Sequence, residues 1–210
     1  MLPVSAPEQT QTMQHYYRWH AAVYDATRWA FLFGRKAILR HLPQDRQQVL
    51  MEIGCGTGYN LRRLAGQRPD WRLMGVDVSP DMLAKASRAT QAYSRRIQLF
   101  EKAYGDGQFR APEPPDIVLF SYSLTMFNPG WEAAIEQARA DLKPGGRVAL
   151  VDFHDTDSAG FRWWMARNHV RMDGHLLPAL EARFETEFRA LQPAWGGLWR
   201  YVLYVGRKKT

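Results

Sequence analysis

The chain has a single cysteine, Cys55, in 210 residues, which excludes an internal disulfide. No apolar run reaches the 18 or so residues that a membrane span needs. The first fifteen residues carry neither a basic start nor an apolar core, so export is not expected and the cytoplasm is the default location. No Cys/His cluster has the spacing of a zinc site, and His169 and His175 stand six residues apart, which is no ligand spacing on a helix. No metal is expected. Neither an internal repeat nor a low-complexity linker divides the chain, so its length suits one domain, 1–210, with a substantial core.

What is present is a mixed, soluble-type composition: 46% hydrophobic and 23% charged residues. The formal charge of +7 is uneven. Residues 1–46 hold six basic and three acidic side chains, and residues 158–210 hold nine and four. The middle has thirteen against fourteen. Anionic partners are therefore favoured at the ends: a membrane surface, a nucleic acid or a phosphorylated substrate. The plain alternative is that the arginines only keep the protein soluble.

Hydrophobic spacing divides the chain further. From Gln11 to Leu42 apolar residues recur every three to five positions, a helical pattern that Gly34 interrupts and Pro43 ends. Short strands are predicted at 48–53, 71–77, 96–100, 116–121 and 147–153. Helices are predicted between them from Tyr59, Pro80 and Trp131, with Ser79 or Asp77 capping the second of these. Alternation of this kind implies a parallel sheet covered on both faces. After the fifth strand come two short helices, near 161–167 and 176–184. Strands near 188–191 and 198–205 follow, with Trp195-Gly196-Gly197 turning between them. The parts are a helical cap (1–46), a ligand-binding core (47–157), a helical insert (158–185) and a C-terminal hairpin (186–210).

Three features of the core belong together. Glu52 and the glycines Gly54, Gly56 and Gly58 directly follow the first strand, where glycines let backbone approach a ligand closely. Asp77 ends the second strand, where a carboxylate can accept hydrogen bonds from a ribose diol. Asp106, before Gly107 and after the third strand, can face the amine of an adenine. The glycine spacing is not that of a dinucleotide loop, and an acid beside the loop suits an ammonium or sulfonium rather than a pyrophosphate. No Lys-Ser/Thr pair follows the glycines, so a triphosphate loop is absent.

Together, Val49–Gly58, Val76–Leu83 and Asp141–Arg147 resemble the motifs of class I S-adenosylmethionine-dependent methyltransferases. The resemblance spans about residues 47–153. It implies a Rossmann-like α/β fold: a seven-stranded, mostly parallel sheet with an antiparallel C-terminal strand and helices on both faces, here with an N-terminal helical cap. It implies S-adenosyl-L-methionine as cofactor. Glu52, Gly54, Cys55, Gly56 and Gly58 would pack against its methionine part and Asp77 would bind its ribose. Val78 and Met82 would flank the adenosine, with Asp106, Gly107, Ser121 and Tyr16 completing the site.

Outer segments (His20–Arg28, Phe33-Gly34-Arg35, Ser121–Met126, Val151–Phe153 and Asn168–Val170) are similar to the bacterial N-methyltransferases of betaine lipid synthesis and to soluble phosphatidylethanolamine N-methyltransferases. That similarity implies trimethylation of diacylglyceryl-homoserine, an amino-lipid substrate at an anionic membrane surface, peripheral attachment to the inner membrane face and the upstream lipid-synthesising enzyme as a partner. The alternatives are a phosphatidylethanolamine, a small metabolite or a quinone as acceptor. No amino-group DNA-methyltransferase sequence follows strand four, and no nucleic acid is expected. A binding module without turnover is the remaining alternative.

Methyl transfer to an amine needs placement, a free lone pair and a path for the proton. Tyr24 can line the sulfonium pocket beside Asp25, Tyr122 lies at the carboxyl edge of strand four, and His154 follows strand five as a proton acceptor. Arg162, Arg167, His169 and Arg171 in the insert can hold an anionic group, and the tryptophans there can seat at a lipid interface. Each has a bland counterpart: core packing for the tyrosines, a surface loop for His154, and a solvated basic helix for the insert.

Overall fold

The computed structural model describes residues 31–168 and 170–209. Gly34–Thr210 form one compact unit, and Phe31–Phe33 belong to a separate one. The elements of the larger unit are α1 (Arg35–Arg40), β1 (Val49–Ile53), α2 (Tyr59–Gln67), β2 (Arg72–Asp77), α3 (Pro80–Thr90), β3 (Ile97–Glu101) and β4 (Ile117–Ser121). They continue with α4 (Trp131–Asp141), β5 (Arg147–Asp155), α5 (Ala159–Arg167), α6 (Leu176–Arg183), β6 (Phe184–Ala194) and β7 (Trp199–Lys208).

The seven strands form one sheet in the order β3-β2-β1-β4-β5-β7-β6. The first five are parallel, and β7 runs antiparallel to both β5 and β6. Helices cover both faces, as the alternation implied. β1 and β4 are buried at every position, which explains why Val-Leu-Met-Glu-Ile and Ile-Val-Leu-Phe-Ser lack the alternation of a half-exposed strand. Strand order reverses between β2-β1 and β4, so the crevice above their carboxyl ends is the ligand position of an open α/β sheet. At the opposite edge, Asp116 accepts the Val49 N–H (2.8 Å) and both its oxygens accept from Lys143 Nζ (2.8 and 2.9 Å). That contact ties β1, β4 and the Lys143–Gly146 turn together and leaves the carboxyl edge for a ligand.

Two predicted boundaries shift. The helix expected to end at Phe184 ends at Arg183, and Phe184 opens β6, which runs to Ala194 rather than covering 188–191 alone. Phe184 is 1% exposed, and its burial draws the chain into the sheet at once. A register shift between Thr186 and Phe188 then breaks the alternation on which the prediction relied. Pro193 fits because β6 is an edge strand. Gly34 interrupts the helical pattern, as its place in the sequence implied. Its positive φ of 76° opens α1, and a Cβ there would stand 2.4 Å from the Tyr201 ring. The earlier part of the predicted N-terminal helical segment lies outside the described residues.

Candidate active site

The crevice is lined by two loops that hold each other. After β1 the chain turns through Gly54, Gly56 and Gly58, all at positive φ. The N–H groups of Gly54 and Cys55 donate to the Val76 carbonyl at 2.8 and 3.1 Å. After β4, Ser123 donates its hydroxyl to the Ile53 carbonyl at 2.7 Å. A Cβ on Gly54 would lie 2.6 Å from Ser123 Cβ, so glycine is required there by the neighbouring loop as well as by the turn.

Asp77 joins the glycine loop to β2. Its Oδ2 accepts the Gly56 N–H at 2.8 Å and its Oδ1 accepts the Ser79 N–H at 3.0 Å. The carboxylate thereby ties the glycine loop to the turn that follows β2. Ser79 in turn caps α3, its Oγ accepting the Met82 N–H at 3.3 Å with Pro80 in the first turn. Val78 is half-buried and Met82 is buried beneath this turn.

Glu52 lies behind the loop. It is buried, and its Oε1 accepts the Asn60 side-chain N–H at 2.7 Å, which fixes the start of α2 against β1. Cys55 is also buried. Asp106 is exposed and closes a small turn by accepting the Gln108 N–H at 3.0 Å. The preceding Gly105 donates to Gln137 of α4 at 2.9 Å, and Gly107 has open space around it.

The wall on the β4–β5 side is made differently. Tyr122 takes the left-handed conformation (φ 55°), rare for a bulky residue and stored where surrounding contacts dictate it. Its N–H donates to Val151, and its ring meets Phe153 edge-on at 4.8 Å. Phe153 continues to Trp199 (5.0 Å) and Trp199 to Tyr201 (6.0 Å), an aromatic row ending under Gly34. Burial pushes the Tyr122 hydroxyl well above its ordinary pKa, and Asp152 adds to this. Ser121, before it, is buried.

Asp152 organises that wall, and the sequence reading assigned it no role. It is fully buried in β5 and takes four hydrogen bonds. Oδ2 accepts the N–H groups of Leu124 (2.9 Å) and Thr125 (3.2 Å), while Oδ1 accepts the Thr125 hydroxyl (2.5 Å) and the Phe153 N–H (2.9 Å). Burial pushes its carboxyl up to about 6, and the bonds from Thr125 pull against that. Arg35 is the second residue missed. Its guanidinium lies 4.0 Å over the Tyr59 ring, and its charge acts on Tyr122, so it stands over the crevice from α1. Its only sequence signal was its place after Gly34.

The insert residues are scattered rather than convergent. Arg162 donates to the Thr156 carbonyl at the start of α5, Arg167 stacks over Trp163 (5.4 Å), and Arg171 pairs with Asp173 (2.6 Å). His154 lies at the end of β5, half-buried, and burial lowers its pKa. Tyr16, Tyr24 and His169 lie outside the described residues.

Residues 51–148 match the family described as Methyltransferase domain. The N-methyltransferase NodS of Bradyrhizobium japonicum WM9, solved with S-adenosyl-L-homocysteine, superimposes with a TM-score of 0.70. It is 23% identical, with 84% of this chain and 86% of that chain covered. This is the class I S-adenosylmethionine-dependent methyltransferase fold. The chain is similar to the trans-aconitate 2-methyltransferase of Methylobacterium nodulans, 29% identical over 113 residues. That match covers 54% of this chain, and the chain spans 41% of the relative's own length. The [4+2]-cyclase SpnF is a comparable structural neighbour: TM-score 0.72, 17% identity, 84% and 80% of the two chains covered. The NodS structure holds S-adenosyl-L-homocysteine, the demethylated form of S-adenosyl-L-methionine, and the glycine loop and Asp77 suit a group of that kind. Asp77 ends β2 at the carboxyl edge, the glycine loop presents backbone at positive φ, and Val78 and Met82 belong to the turn and helix start that follow Asp77.

Proposed function

We propose that this chain transfers a methyl group from S-adenosylmethionine to a small-molecule acceptor held above the ends of β4 and β5. The observation that carries the reading is the Asp77 clasp on the Gly56 and Ser79 amides at the strand-order reversal, with Tyr122 at the end of β4 and Arg35 over Tyr59. When bound, S-adenosylmethionine supplies an electrophilic methyl on a sulfonium. The chain's own residues place and orient. Asp77 fixes the ribose, and the Arg35 guanidinium suits a carboxylate at the crevice mouth. The Tyr59 ring holds that guanidinium in place by cation–π contact, and the buried Tyr122 ring shapes the wall below it. Relatives named for trans-aconitate act on a small molecule, which supports an acceptor of that size.

A second reading, an amino lipid such as diacylglyceryl-homoserine, has its own observation. Trp163 is 63% exposed on α5 with Arg167 over its ring, and Leu198 is exposed at the hairpin tip. The Thr156 hydroxyl bonds the Leu198 carbonyl (2.6 Å), so the two stand at the same end of the molecule. Aromatic and cationic groups in that arrangement suit an anionic interface. Incubation with methyl-labelled S-adenosylmethionine separates the readings. Label in an aqueous metabolite extract without vesicles supports the small acceptor, and label only in lipid of anionic vesicles supports the second reading. No binding of S-adenosylhomocysteine in calorimetry would sink both.

A further inference from the structure

At the end of β5, on the carboxyl edge of the sheet, six charged or titratable side chains lie close together: His154, Asp155, Arg171, Asp173, His175 and Arg200. Asp155 and Asp173 are joined by an isolated backbone bridge, and the Gly174 N–H donates to the His154 carbonyl at 2.8 Å. The His154 ring packs on Gly174, where a Cβ would approach it to 3.1 Å. His175 follows, at the start of α6, with its ring edge-on to Trp131 of α4 at 4.8 Å. Among the described residues no group of three or more such side chains converges as metal ligands do. The arrangement is instead a relay of pairs.

One pair has the geometry of an oriented base. Asp173 Oδ1 lies 2.5 Å from His175 Nδ1, and Asp173 Oδ2 accepts from Arg171 Nε at 2.6 Å. The carboxylate thus fixes the proton on Nδ1 and leaves the Nε2 lone pair as acceptor. His154 lacks this support. Its Nε2 is 3.8 Å from Asp155, beyond a hydrogen bond, and Asp155 is already engaged by Arg200. Its Nδ1 is buried without a hydrogen bond.

We infer that His175, oriented by Asp173, is the proton acceptor of the methyl-transfer site, and that the acceptor substrate is a protic nucleophile, an ammonium in the first instance. This rests on the methyltransferase reading above. The balance is simple: the substrate N–H bond breaks, its proton bonds to His175 Nε2, and the electron pair stays on nitrogen. The imidazolium then releases its proton to water. A carboxylate acceptor is already an anion and needs no such group, so the dyad distinguishes acceptor classes. Burial lowers the pKa of His175 while Asp173 raises it in part, so the ring is neutral and able to accept at pH 7. The charged groups facing the two histidines are Asp173, Arg171, Asp155 and Arg200.

The test is long-range proton–nitrogen NMR of histidine-labelled full-length protein across pH 4.5–8.5, with His154→Gln and His175→Gln for assignment. His175 should appear as the Nδ1–H tautomer with a midpoint below the ordinary histidine value, and S-adenosylhomocysteine should move its Nε2 signal. Asp173→Ala should lower the midpoint further and convert the ring to a tautomer mixture. An Nε2–H tautomer in the wild type, or a His175 signal indifferent to Asp173→Ala, overturns the inference. With an amine-containing metabolite extract as acceptor, His175→Gln should lower turnover about 10²- to 10⁴-fold and remove the acid limb of its pH profile, at unchanged S-adenosylhomocysteine affinity. Loss of that affinity in the wild type would count against the methyltransferase reading instead, while the NMR result still judges the dyad.

Discussion

The two sides of the crevice are built from different materials. The cofactor side uses backbone: amides of Gly54, Cys55, Gly56 and Ser79, joined through the Val76 carbonyl and one carboxylate, Asp77. The acceptor side uses side chains that meet only after the chain has folded, as Ser123 does with Ile53, Thr125 with Asp152 and Tyr122 with Phe153. Backbone recognition of a constant ligand is written in local glycine spacing. Side-chain recognition of a variable ligand is spread over separate loops and has no spacing of its own.

The sharpest way to break this contrast is at Asp77. Asp77→Ala removes the acceptor of two amides and, on the function proposed above, of the ribose diol. Hydrogen bonds to a charged group contribute about 1.5–3 kcal/mol each, so cofactor affinity should fall by roughly two to three orders of magnitude in calorimetry. An unchanged dissociation constant would place the ribose elsewhere.

On the acceptor side the expected loss is of stability. Asp152→Ala leaves four buried donors without their acceptor and should cost about 2–4 kcal/mol in denaturant unfolding at pH 7. A loss below 1 kcal/mol would show that the Leu124–Met126 turn does not depend on it. Its pH dependence has a definite sign. A carboxyl raised to about 6 in the folded state binds more protons than the unfolded chain between about pH 4 and 6. Stability from this group is therefore greatest at low pH and declines as pH rises through 6. The gap between wild type and Asp152→Ala should widen by about 1 kcal/mol from pH 7 to pH 5. His154 and His175, both lowered, act in the opposite sense in wild type and variant alike, costing stability as pH falls below their ordinary value. A gap that narrows over that range would contradict the buried-carboxylate account.

The smallest effect belongs to Ser79. Ser79→Ala removes the α3 cap, about 1 kcal/mol, and reaches the cofactor only through Asp77. A large fall in affinity with little change in melting temperature would mean that Ser79 itself touches the ligand.

The strand–helix order, the parallel sheet, the antiparallel return and the Ser79 cap were all legible in the sequence. Each is carried by local periodicity or by a residue acting on its near neighbours. The glycine loop and Asp77 were legible for the same reason. Asp152 was not, because a lone acid inside Arg147–Phe153 reads as an ordinary strand residue until Leu124 and Thr125 fold over it. Arg35 was hidden among other arginines, since only the sheet brings Tyr59 and Tyr122 near it. Arg162 and Arg167 looked alike as charges, yet one closes on the Thr156 carbonyl and the other on the Trp163 ring.

Cys55, the second residue of the glycine turn, has a further consequence. It is the chain's sole thiol and is 3% exposed under the backbone of that turn. A thiol reagent can reach it only when that backbone lifts, so its modification rate is a clock for local opening. Ligand binding should slow the clock without any engineered label, and an acceptor-side substitution that leaves the turn intact should not.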